Sequence, residues 1–91
     1  MIDIDYRSLD SDLADGSFRQ RLEEELVAGF RAIDAAGERL PTASHYASKI
    51  AEIVSLSAPV PLAPGTAFDL YQEILIACER ARAAVLGEEI E

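Results

Sequence analysis

Three stretches of this chain carry apolar residues at helical spacing, and each follows a residue type that caps helices. Ser17, Thr42 and Thr66 stand before them, and Gly37 and Gly87 stand after the first and third. A capping side-chain oxygen accepts an orphan backbone N–H, and a terminal glycine takes the left-handed turn that stops a helix. Local chemistry and long-range pattern therefore agree on an all-α fold. The expected architecture is a small bundle of three main helices over about 18–36, 43–57 and 67–86.

The first stripe runs through Phe18, Leu22, Leu26, Phe30 and Ile33 at steps of three or four, with Ser17 and Gln20 spaced as a capping box. Glu23, Glu24 and Glu25 give this helix an acidic outer side. Gly29 flanks the stripe and weakens the helix unless another backbone comes close. In the second helix Tyr46, Ile50, Ile53, Val54 and Ser57 define the inner side. Ser44, Ser48, Ser55 and Ser57 lower its propensity.

Pro59, Pro61 and Pro64 then rule out helix over 58–65 and favour an extended connection across one end of the bundle, with Val60 and Leu62 tucked onto the helices. Thr66 and Asp69 form an acidic capping box for the last helix. Its face combines Phe68, Tyr71, Ile74, Leu75, Cys78, Ala81 and Val85, widened by Leu70, Ile76, Ala77, Ala84 and Leu86. A helix apolar over so much of its circumference is either central in its bundle or shared between two chains.

Residues 1–16 differ from the rest. Ile2, Ile4 and Tyr6 alternate with Asp3, Asp5 and Arg7, the period of a strand, and Asp10, Asp12 and Asp15 lead into Gly16. One strand alone is unstable, so the expectation is an acidic arm, extended or partly ordered. It packs on the helical domain of residues 17–91 or adds to a partner's sheet edge.

The chain has 91 residues, of which 17 are acidic and 8 basic, for a net charge of −9. That balance argues against nucleic acid and anionic membranes as partners, because both are bound by Lys and Arg. It suits a protein partner with a basic face, and it keeps copies apart in solution. One cysteine excludes an intrachain disulfide, and one cysteine with one histidine falls short of a structural zinc set. No apolar run approaches the roughly 18 residues of a spanning helix, and the acidic start is unlike a secretory signal, so a cytoplasmic protein is expected. A chain this short buries only about 60–65% of its unfolded surface, which leaves tidy helix packing or association to stabilise it.

Catalytic motifs are scarce. Arg39 and His45 have a spacing that resembles the Arg-x4–6-His pattern of HEPN-type ribonucleases, over seven residues. That resemblance implies a helical dimer cleaving RNA with Arg39 and His45 in its cleft. Leu40-Pro41 follows the arginine where that family usually has a polar residue. Asp10, Asp12 and Asp15-Gly16 resemble an EF-hand loop, but aligning Gly16 puts Ser11, Leu13 and Leu22 at ligand positions. Cys78 lies on an apolar face, where a thiol is a small core residue, and the sole histidine is on another helix.

No cofactor or metal is expected. The chain reads as a non-catalytic acidic module that binds another protein: an adaptor, inhibitor, immunity or assembly-accessory protein. Tyr71, Ile74, Leu75 and Cys78 are assigned to helix packing or self-association, and Glu23, Glu24, Glu25, Asp10 and Asp12 to a basic partner. A structural homo-oligomer and the HEPN-like nuclease are the alternatives.

Overall fold

The computed structural model describes residues 4–87, which hold four α-helices and no strand. They are α1 (Leu9–Asp15), α2 (Ser17–Ala35), α3 (Ala43–Ser57) and α4 (Pro64–Leu86). The all-α expectation and the three long helices stand; the fourth helix lies inside the expected acidic arm. Leu9 and Leu13, one turn apart, bury a single face of α1, and Asp10 and Asp12 fall in its first turn, where negative charge suits the dipole. Before it the alternating segment turns rather than extends: Ser8 N–H donates to the Asp5 carbonyl at 3.1 Å. Ile4 and Tyr6 pack partly buried against the core, while the Ile2 and Asp3 portion of the alternation lies outside the described residues.

Gly16 separates α1 from α2 in the left-handed conformation, with φ +82°. The capping box expected from Ser17 does not form, because Ser17 is already the first helical residue. The Asp15 carboxylate caps instead, accepting the Ser17 N–H at 2.9 Å, and that bond holds its pKa below the ordinary 3.8. At the other end Glu38 N–H reaches the Ile33 carbonyl and Gly37 N–H reaches that of Asp34. This pair of bonds is the Schellman closure that Gly37 led one to expect.

Thr42 occupies the N-cap position of α3 in an extended conformation, yet its hydroxyl makes no capping bond. Pro64 opens α4 two residues before Thr66, since a first-turn proline loses only an N–H that would be orphaned anyway. Thr66 is thus inside the helix, and its hydroxyl donates to Asp10 Oδ1 at 2.9 Å instead of capping.

Leu70, Ile74, Ala77, Cys78 and Ala81 are fully buried, at steps of four, three, one and three along α4. Phe68 was expected on this face but stands about 200° round the helix from Leu70 and is 63% exposed. α4 is the central helix: α1, α2 and α3 all pack on it, and no Cα of α2 comes within 8 Å of one in α3. Small side chains at Ala77, Cys78 and Ala81 let its neighbours approach from two sides. In the 58–63 connection Leu62 is partly buried as expected, whereas Val60 points to solvent.

The amino-terminal segment is tied down by one long-range bond. The Ala58 N–H turns back to the Ser55 carbonyl, so the Val54 carbonyl near the end of α3 needs a donor from elsewhere. The Tyr6 hydroxyl supplies it at 2.7 Å.

Candidate binding groove and acidic cleft

Two neighbouring helices that both lean on a third without meeting leave a trough between them. Here its α2 wall is the stripe Phe18, Leu22, Leu26 and Phe30, and its α3 wall is Tyr46, Ile50 and Val54, enclosing about 290 Å³. The helices run antiparallel, so Phe30 meets Tyr46 near the connecting turn, edge to face with centroids 5.4 Å apart, and closes one end. Phe18 and Val54 flank the other end. Most lining side chains are buried, so the groove is narrow, with Tyr46 half-buried and Gly29 and Glu25 exposed along its margin. Glu25 is its sole charged lining residue.

The α3 wall continues past the groove. Ile53 lies three residues beyond Ile50 and seven beyond Tyr46, on the same side of the helix, and is 45% exposed. Sequence periodicity placed Ile53 inside; the stripe that α3 turns to α4 is instead Ala47, Ile50 and Val54. Leu56 is one further turn along and 78% exposed.

A second, wider depression of about 720 Å³ lies where α1 and the starts of α2 and α4 converge, lined by Asp10, Asp15, Asp69, Glu73 and Arg19 among others. Much of its charge is engaged. Asp10 accepts from Thr66, Asp15 caps α2, and Arg19 pairs with Glu73 at 3.6 Å. No group of three or more His, Cys, Asp or Glu among the described residues is arranged to hold a metal ion.

The residues singled out by sequence divide accordingly. Ile74 and Cys78 are fully buried inside the chain and serve helix packing rather than a surface, while Tyr71 and Leu75 are partly buried against the same core. Burial, with the Glu79 carboxylate nearby, pushes the Cys78 thiol up to about 11, so it is neutral and unreactive at physiological pH.

Asp12 is drawn inward, accepting from Arg21 at 3.1 Å and Ser17 Oγ at 3.3 Å; with Asp10 it fastens α1 to its neighbours. Glu23 is half-buried and Glu24 exposed; Glu25 alone of the three reaches the groove. Arg39 in the 36–42 connection and His45 in the first turn of α3 are exposed, and neither lines the groove or the cleft.

The exposed apolar residues Ile53, Leu56, Val60 and Phe68 were not among the expected site. Sequence periodicity placed Ile53 and Phe68 on buried faces and Val60 against the helices, so only Leu56 stood outside the expected stripes. No helix among the described residues is long and apolar enough to cross a membrane. No family model matches the chain, and no curated protein or solved structure matches it either.

Proposed function

We propose that this protein is a non-catalytic acidic module that binds another protein through the α2/α3 groove and the apolar residues continuing from it, in the manner of an adaptor, inhibitor, immunity or assembly-accessory protein. The observation that carries this reading is the groove itself, an apolar trough whose α3 wall runs on into exposed Ile53 and Leu56. Four of the five large apolar side chains exposed among the described residues, Ile53, Leu56, Val60 and Phe68, fall within residues 53–68. Exposed apolar side chains concentrated at the end of α3, in the connection and at the start of α4 support a docking role for this part of the chain. The net charge of −9 supports a partner of opposite sign and works against stacking identical copies.

The test is capture from lysate of the source organism, with tagged wild type beside Ile53→Asp. Ile53 is exposed enough for the variant to keep its fold. Wild type is expected to retain one stoichiometric protein that the variant loses at unchanged melting temperature. Equal recovery by both, or recovery of nothing but further copies of this chain, contradicts the reading.

A further inference from the structure

Two apolar stripes meet at Gly16, and they are out of phase. On one uninterrupted helix, Leu9 and Leu13 would stand about 140–180° round the axis from Phe18 and Leu22. Both pairs are nonetheless buried. A single residue makes the reversal: Gly16, with φ +82°, is all that lies between the end of α1 at Asp15 and the start of α2 at Ser17. It folds α1 back so that its leucines join the core on α2 and α4. A Cβ at Gly16 would meet only the Arg19 side chain, in ordinary contact at 3.7 Å. The glycine therefore serves the left-handed backbone and not a close approach.

We infer that α1, with the segment from Ile4 that precedes it, is an exchangeable arm. A second copy of this chain receives it when Gly16 turns right-handed and α1 and α2 become one helix. What fills the seat now defines its occupant. Leu9 and Leu13 fill the apolar part; Thr66 donates to Asp10 at 2.9 Å, Arg21 to Asp12 at 3.1 Å, and the Tyr6 hydroxyl to the Val54 carbonyl at 2.7 Å. Each of these contacts can reform when the arm comes from another molecule, as in domain swapping. Straightening also gives the Ser17 N–H a new acceptor, the Leu13 carbonyl four residues back, in place of the Asp15 carboxylate. The straight helix leaves Leu9 and Leu13 on its far side in water, so a released arm needs a seat. A one-residue hinge gives the straightened arm little freedom to return to its own body, and short hinges invite exchange.

The net charge of −9 opposes pressing one acidic surface on another. Arm exchange asks for no such contact, because it trades the Asp12–Arg21 pair within one molecule for the same pair across two. No residue of the arm lines the α2/α3 groove, so the exchange stands apart from the reading of the protein as a binding module.

The experiment follows the mass of the full chain by light scattering, wild type beside Gly16→Ala. Alanine disfavours the left-handed turn and favours continuous helix. The variant is expected to dimerise about tenfold or more tightly than wild type, with a melting temperature that is lowered in dilute solution and rises with concentration. Two further variants, Asp10→Cys and Thr66→Cys, tell exchange from surface contact, since each puts one thiol where the native side chains meet. They are refolded together in the Gly16→Ala background and then oxidised, with Cys78 buried and out of reach. They should form a cross-chain disulfide well above the level given by Asp10→Cys with Lys49→Cys, because Lys49 is on α3, on which α1 does not pack.

A Gly16→Ala protein that stays monomeric, or a dimer in which Asp10→Cys links to Thr66→Cys no better than to Lys49→Cys, would overturn the inference. If Gly16→Ala does not fold, the same cysteine variants without it decide. Cross-chain linkage that rises with the concentration of refolding supports the arm, and its absence overturns it. Capture that recovers only copies of this chain contradicts the binding module and leaves the arm, whereas one captured partner beside a monomeric Gly16→Ala does the reverse.

Discussion

Single side chains in this protein carry consequences that can be measured one at a time. Cys78 is sealed in the core, so thiol reagents should leave it untouched in the native protein and modify it fully once denaturant unfolds the chain. Modification of the native protein at the unfolded rate would contradict its placement. Its folded pKa near 11 lies above the ordinary 9.0. The fold therefore favours the neutral thiol, and that stabilisation is intact below about pH 9 and lost as pH rises toward 11. Replacing Cys78 with Ala should flatten that part of the alkaline decline, as read by denaturant midpoints across the range. Tyr6 acts through one bond to the Val54 carbonyl. Tyr6→Phe should cost about 0.5–1.5 kcal/mol. Gly29→Ala should move the other way, stabilising α2 by up to about 1 kcal/mol, because nothing in the chain occupies the space its methyl would take.

At the scale of elements, α4 concentrates the energetics. Ile74 is fully buried where α4 meets its neighbours, and Ile74→Ala should cost about 2–5 kcal/mol in equilibrium unfolding, a large share of a small domain's stability. The break between α1 and α2 depends on Gly16, whose φ of +82° disfavours any side chain. Gly16→Ala should lower the melting temperature, and an unchanged value would mean that the two helices can merge.

Sequence made some of this readable and hid the rest for physical reasons. The long stripe of α2 and the glycine closure after it are strong signals, and both are found. α1 escaped because seven residues with two apolar positions offer too few turns to show a period. The face of α4 was misjudged at Phe68 because apolar residues surround most of that helix. Periodicity then cannot choose between the Phe68 and Leu70 registers, and small alanines decide the packing. Capping was predicted on the right types of residue, but Ser17 is the first residue of α2 and donates its N–H to the Asp15 carboxylate, Pro64 starts α4 two residues before Thr66, and Thr42 holds its N-cap position without a side-chain bond.

On the scale of the whole molecule, the groove is a consequence of topology and was invisible to any reading of single helices. Each stripe looks complete by itself; only the splaying of α2 and α3 on either side of α4 leaves their outer margins unmatched. The acidic balance, plain from composition, proves to be partly internal. Asp10, Asp12 and Asp15 stitch α1 to α2 and α4, leaving Glu24, Glu25 and Asp34 as the exposed carboxylates of α2.

Methyl NMR of the full chain with the captured partner tests the proposal that a partner docks along this groove and the apolar residues continuing from it. Large shifts are expected at Leu22, Leu26, Ile50, Ile53 and Val54, with Ile74 in the core much less affected. Shifts confined to Ile76 and Leu86, with the groove methyls unmoved, would contradict it.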